Sequence, residues 1–262
     1  FIIDQWGVMH DGTFGFDHAF ESINFLKKNN KTLFIISNSS KRSKSSYNNL
    51  HNLGFNQNSF SNIVTSGEMI WQLLKKKYSN SSNKKNCLHI FNESKEDGLK
   101  FRNGLNFNFI EKVEEADLIL ACTPFIKLEP VDYIPTLELA FKKGLTMYCA
   151  NPDYETVETE NNKNIFCMGA IAEIYKKMGG HVVIRGKPDL SIYIETTKKI
   201  NLDKKRTVSI GDSLFHDVQG ANNFNIDSIL VKSGIHKDYI EINNIIKNHQ
   251  ISPSYIIDKF SI

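Results

Sequence analysis

Short apolar runs bounded by turn residues alternate along the chain with longer stretches whose apolar positions recur at helical spacing. Phe1-Ile2-Ile3, Thr32 to Ile36, Cys87 to Phe91, Asp117 to Cys122, Leu145 to Ala150, Val182-Val183-Ile184, Thr207 to Ile210 and Asp227 to Val231 each read as a buried strand. Between them, Phe20, Ile23 and Leu26 mark a helix that Asp17 can cap. A second helix runs through Tyr47 to Leu53 before Gly54, and Ile70, Trp71 and Leu74 mark a third. Further helical patterns span Val131 to Lys143, Gly169 to Met178 and Leu190 to Ile200. Mostly apolar strands that alternate with helices predict an α/β fold with a Rossmann-like, doubly wound parallel sheet as its core.

The composition shifts beyond Gly67. The polar run Ser79 to Asn86 reads as an exposed loop, and the strands and helices that follow predict a second α/β unit inserted into the first. The expected division is a core of residues 1–67 and 181–262 around an insert of residues 68–180. Within the insert, Ile134, Leu137 and Phe141 could face a second copy of the chain or the ordinary core side of their helix.

The chain has 262 residues, of which 40% are hydrophobic, enough for one large or two modest cores. Its formal net charge of +3 gives no nucleic-acid footprint, and Lys75-Lys76-Lys77 and Lys204-Lys205-Arg206 read as solvated surface at element ends. No stretch approaches the roughly 20 apolar residues of a membrane span. Cys87, Cys122, Cys149 and Cys167 lack paired metal spacing and lie mostly in apolar runs, so buried free thiols in a reducing compartment, the cytoplasm, are expected. No signal peptide is visible. The chain opens inside a strand, which leaves room for residues upstream.

Chemistry gathers at the carboxyl ends of the strands, the edge where parallel sheets bind ligands. Asp4 follows the first strand, and its carboxylate there suits a nucleophile or metal ligand, or caps a turn. Ser37 and Asn38 follow the second, placed to hydrogen-bond a phosphoryl oxygen, while Ser39 and Ser40 serve equally well as helix N-caps. Asn151-Pro152-Asp153 is a turn after a strand of the insert. Lys187 lies in a tight loop between Gly186 and Pro188, from which a long cation can reach inward. Asp212 and Asp217, in Gly211-Asp212-Ser213-Leu214-Phe215-His216-Asp217, can supply a hard-cation site at a helix N-terminus. One sheet would bring Asp4, Ser37, Lys187 and Asp212 to a single edge, where dense negative charge calls for Lys187 and a cation, with Mg²⁺ the expected one.

These stations together resemble the motifs of the haloacid dehalogenase-like superfamily, in its class IIA capped branch of sugar-phosphate and nitrophenyl-phosphate phosphatases. Asp4 to Gly12, Ile36 to Asn38, Gly186-Lys187-Pro188 and Gly211 to Asp217 match the four family motifs in order and spacing. The resemblance implies an aspartyl-phosphate on Asp4, phosphoryl binding by Ser37 and Asn38, and charge neutralisation by Lys187. It implies Mg²⁺ held by Asp4, the Trp6 backbone carbonyl and Asp212, with Asp217 supporting the site. Asn151 and Asp153 would belong to a cap loop facing the active site, and the insert would be a cap that covers it and selects a small phosphorylated metabolite. Dimerisation through that cap is also implied.

One position departs from the pattern. The family's phosphatases carry an aspartate two residues after the nucleophile, which protonates the leaving oxygen, and here that residue is Trp6. Indole is neither a general acid nor a base, and loss of such a group costs on the order of 10²–10⁴ in rate. Three readings follow: a phosphohydrolase limited to good leaving groups or supplied with its proton by the substrate or another side chain, a non-hydrolytic protein that binds a phosphorylated metabolite, and a metal-independent dehalogenase-like enzyme. The last leaves the Asp212 motif without a purpose. His10 and Asp11 are the nearest alternative acids in sequence, and both also suit the turn after the first strand.

Overall fold

A computed structural model of the chain describes residues 1–79, 83–94, 96–123, 126–160, 163–236 and 239–262. It divides into two compact units, the first made of Phe1–Ser37, Ser43–Val64 and Lys187–Ile262, the second of Asn38–Arg42 and Thr65–Gly186. In chain order the elements up to the insert are β1 (Ile2–Ile3), α1 (Asp17–Lys28), β2 (Phe34–Ser37), α2 (Ser43–Asn52) and β3 (Asn62–Thr65). Those of the insert are α3 (Ser66–Tyr78), β4 (Lys85–Ile90), α4 (Glu96–Phe101), β5 (Phe107–Ile110), β6 (Leu118–Ala121), α5 (Ile134–Lys142), β7 (Thr146–Cys149), the hairpin β8 (Glu155–Glu160) and β9 (Lys163–Phe166), α6 (Met168–Lys177) and β10 (His181–Ile184). The chain closes with α7 (Leu190–Thr197), β11 (Val208–Gly211), α8 (Gln219–Phe224), β12 (Asp227–Val231), α9 (Tyr239–His249) and β13 (Tyr255–Ile257).

The first unit is built on a six-stranded sheet of order β13-β12-β11-β1-β2-β3. β1 runs parallel to both neighbours, Ile2 opposite Ser209 and Phe34, Ile3 opposite Ile210 and Ile35. A strand flanked on both edges and covered on both faces has no solvent side, which is why Ile2 and Ile3 are both apolar and wholly buried. One core packs Ile3, Ile35 and Ile210 against Ala19, Ile23 and Leu26 of α1 and Leu50 of α2. Another joins Leu214, Val218, Leu230, Ile242 and Ile251. The sheet is therefore doubly wound, as its sequence pattern predicts.

The second unit carries its own five-stranded sheet, β10-β7-β6-β4-β5, with every neighbouring pair parallel. Successive residues alternate between its two cores: Leu118 and Leu120 pack with Ile70, Leu74 and Phe107, whereas Ile119 and Ala121 pack with Leu137, Ile171 and Tyr175. All four cysteines are buried and free. Leu137 is buried in this core while Phe141 remains exposed.

Several local expectations are corrected. Asp17 is the first residue inside α1, not its cap; the cap position is Phe16, which has no side-chain oxygen, and Asp17 instead meets the helix dipole in the first turn. Ser39 and Ser40 precede α2, which starts only at Ser43. Val182 to Ile184 does not return to the first sheet. As β10 it pairs with β7 in the second sheet, and the longer stretch of the second unit runs from Thr65 to Gly186, against the expected 68–180. Of the run Ser79 to Asn86, residues 80–82 lie outside the described residues, and Lys85 and Asn86 already belong to β4.

Candidate active site

β1 and β11 deliver two carboxylates to the same edge of the first sheet. The Asp4 N–H bonds the Ile210 carbonyl at 2.9 Å, extending the ladder one residue beyond β1, and Asp212 follows directly on β11. Ser37 ends β2, the strand on the other side of β1, and is buried. Asp217 arrives by a turn of π-helix over Leu214–Val218, a conformation that recurs at functional sites. That turn is closed reciprocally: the Asp217 N–H bonds the Ser213 carbonyl at 2.9 Å, and the Ser213 N–H bonds Asp217 Oδ2 at 3.1 Å.

Lys187 ties the cluster together. Its Nζ lies 2.6 Å from Asp4 Oδ1 and 2.7 Å from Asp217 Oδ1. Asp4, Asp212 and Asp217 offer carboxylate oxygens within 4.8 Å of one another, and none of the four side chains' residues is more than 6% exposed. Burial alone would depress the Lys187 ammonium, but Asp217 and Asp4 outweigh it and hold it well above its usual range. Burial, then the Asp4 and Asp217 charges, push the Asp212 carboxyl well above its usual range against the pull of Lys187. Three buried carboxylates facing one ammonium leave an excess of negative charge. Hard oxygen donors at this spacing suit a small divalent cation such as Mg²⁺.

Two glycines let the backbone approach this closely. A Cβ at Gly211 would lie 2.0 Å from Asp217 Cγ, and one at Gly234 would lie 1.8 Å from Asp212 Oδ2. Asp212 Oδ2 also accepts the Ile235 N–H at 3.0 Å. The loop after β12 is thus part of the site's support, and its only sequence signal is the Ser233-Gly234 pair behind a strand. Gln5, buried next to Asp4, exchanges hydrogen bonds with Ser46 Oγ at 3.0 and 3.1 Å, a tie to α2 that spacing does not reveal.

The turn after β1 engages both alternative acids. Asp11 is exposed, and its Oδ1 accepts the Thr13 and Phe14 N–H groups, which with lesser help keep its carboxyl below the usual range. His10 is buried, its Nδ1 accepts the Gly12 N–H at 3.0 Å, and its ring meets the Trp6 ring edge-on at 5.2 Å. In the second unit, Asn38 Nδ2 donates to Asp153 Oδ1 at 2.8 Å, and Asn151 Oδ1 accepts the Asp153 N–H. Asp4, Lys187, Asp212 and Asp217 are therefore one cluster, while Asn38, Asn151 and Asp153 form a polar group within the other unit.

Residues 1–101 match the family model described as haloacid dehalogenase-like hydrolase, and residues 184–261 match a second, described as HAD-hydrolase-like. The chain belongs to the haloacid dehalogenase-like hydrolases. No curated protein matches it in sequence. Among solved structures, it is similar to a haloacid dehalogenase-like hydrolase from Brucella suis, with 27% identity, a TM-score of 0.80 and coverage of 98% of this chain and 94% of that one. A p-nitrophenyl phosphatase from Archaeoglobus fulgidus shares the fold at 20% identity and TM-score 0.73, covering 99% and 95%. A glycerol phosphate phosphatase from Mycobacterium tuberculosis, solved in complex with magnesium, shares it at 18% identity and TM-score 0.71, covering 99% and 74%. No described helix is long and apolar enough to cross a membrane.

Proposed function

We propose that this hydrolase is a Mg²⁺-dependent phosphatase that acts on a small phosphorylated metabolite through an aspartyl-phosphate on Asp4. The observation that carries the reading is the buried cluster in which Lys187 spans Asp4 and Asp217 with Asp212 alongside. The phosphatase names of structures that share the fold support it. An Asp4 oxygen attacks phosphorus, the bond from phosphorus to the leaving oxygen breaks, and that oxygen departs with its electron pair. Water then cleaves the acyl phosphate, releasing inorganic phosphate and restoring the carboxylate. Lys187 holds Asp4 ionised and in place, and Ser37 offers its hydroxyl to the phosphoryl group. Asp4, Asp212, Asp217 and the Trp6 carbonyl would hold Mg²⁺, which when bound neutralises charge on the phosphoryl oxygens.

Trp6 shapes the chemistry. With no carboxylic acid at that position, the leaving oxygen departs unprotonated unless the substrate or another side chain supplies the proton, and we take the first case. Rates should therefore fall steeply as the leaving group becomes more basic. The test is Mg²⁺-dependent phosphate release across acyl, aryl and alkyl phosphates, with Asp4→Asn as the blank. Turnover confined to good leaving groups supports the scheme, whereas equal rates on nitrophenyl and simple alkyl phosphates would refute the role given to Trp6. The same substitution favours a second reading, a protein that binds its phosphorylated ligand without hydrolysis. Thermal stabilisation by phosphorylated metabolites with no turnover on any ester would establish that one instead.

A further inference from the structure

The loop after β12 touches both sides of the carboxylate cluster. The Ser233 hydroxyl donates to the Gly7 carbonyl at 2.8 Å. Two residues on, the Ile235 N–H donates to Asp212 Oδ2 at 3.0 Å. Between them Gly234 lies so close that a Cβ built on Gly7 would come within 2.9 Å of its Cα and 2.3 Å of Asp212 Oδ2. The two loops meet backbone to backbone at Gly7, where a side chain would not fit, and Gly7 adopts a φ of +74°.

We propose that Ser233 is a positioning residue for the cation site, acting through the Trp6–Gly7 peptide; the inference rests on the Mg²⁺ reading given above. The Gly7 N–H bonds the His10 carbonyl at 2.9 Å, on one side of the Gly7 Cα, and Ser233 holds the Gly7 carbonyl on the other. Two bonds flanking one flexible residue fix both of its dihedrals. Because the Trp6–Gly7 peptide is planar and trans, its carbonyl points opposite to the Gly7 N–H, away from His10. Fixing Gly7 therefore fixes the Trp6 carbonyl, the backbone oxygen assigned to the cation. The Ile235 N–H meanwhile holds the plane of the Asp212 carboxylate. Ser233-Gly234-Ile235 thus sets two donors from different strands at one separation, and of the three residues only Ser233 does so with a side chain. Lys232 looks elsewhere, pairing with Asp258 at 2.7 Å.

The test is calorimetric titration of Mg²⁺ into metal-free wild type, Ser233→Ala and Ser233→Thr at one pH, with Asp212→Asn as the non-binding control and thermal melts in EDTA alongside. Partners behind metal ligands are worth about 10–100-fold in metal affinity. Ser233→Ala should weaken Mg²⁺ about tenfold. In EDTA its melting temperature should fall by no more than about 5 °C, the worth of one part-buried hydrogen bond. Ser233→Thr, which keeps the hydroxyl, should restore binding. An Ala variant that binds within about twofold of wild type would overturn the inference, and a large loss of stability with unchanged affinity would reduce Ser233 to a structural tie. If Ser233→Ala fails to fold, Ser233→Cys, a weaker donor, should give intermediate affinity, and wild-type affinity there would equally overturn it. Failure of wild type itself to bind Mg²⁺ would sink the metal reading and this inference with it, an outcome distinct from the others.

Discussion

Replacing Lys187 by Met would remove from three buried carboxylates the ammonium that pairs with two of them, while leaving an unbranched apolar stem in its place. Asp4 and Asp217 would keep the cost of burial and lose partners at 2.6 and 2.7 Å. Breaking a buried ion pair from one side costs about 3–5 kcal/mol, and because both pairs share one ammonium the figure is not doubled. For a chain of this length, each kcal/mol lowers the melting temperature by about 2–4 °C, so the metal-free variant should melt roughly 10 °C below wild type near neutral pH. The pH dependence has a definite sign. Burial lowers the Lys187 ammonium, but Asp217 and Asp4 raise it further, so its contribution is complete below its usual value and is lost only as pH rises beyond it. The Asp212 carboxyl, raised by burial and then by Asp4 and Asp217, resists ionisation, and without Lys187 it should resist more. A proton can then stand in for the missing ammonium as pH falls, so the variant's deficit should shrink between about pH 8 and pH 5. Melts of both proteins in EDTA across that range are the assay. A deficit under about 1 kcal/mol at the alkaline end, or one that does not change with pH, would refute the account of Lys187 as the counter-charge of these carboxylates.

Two further outcomes follow from the same cluster. Gly211→Ala would place a Cβ 2.0 Å from Asp217 Cγ, so Asp217 must move. The overpacking should cost about 1–3 kcal/mol in urea melts and abolish Mg²⁺ stabilisation, whereas a variant that melts and binds Mg²⁺ as wild type does would show that the turn over Leu214–Val218 yields easily. The melting-temperature rise produced by saturating Mg²⁺ should grow as pH rises, because the raised Asp212 carboxyl keeps its proton at low pH and the cation must displace it. A rise that is flat with pH would mean that Asp212 is not among the ligands.

The legible part of this molecule was the part written in apolar runs. β1 and β2 are buried on both faces, so Ile2-Ile3 and Phe34-Ile35-Ile36 are apolar without alternation, and the polar residues that follow them, Asp4 and Ser37, stand out by contrast. Sheet membership was not legible. Val182-Val183-Ile184 would suit either sheet, and only the crossover through α6 assigns it to β7. β3 escaped notice because Asn62-Ile63-Val64-Thr65 is short and half polar, as befits an edge strand. The residues of the carboxylate cluster were legible one by one, but their supports were not. The Ser233 to Gly7 and Gln5 to Ser46 bonds join residues far apart in sequence, and no periodicity encodes them.

β1 contains only two residues, yet it lies in the middle of six strands. So short a strand has little cohesion of its own; β2 and β11 dictate where it lies. The backbone amide of Asp4, bonded to the Ile210 carbonyl, can open only when the centre of the sheet opens, which in a small α/β unit is close to global unfolding. Asp4 therefore borrows its rigidity from strands that carry other residues of the cluster. Mutations that loosen β2 or β11 should blunt the chemistry even when every side chain of the cluster is intact.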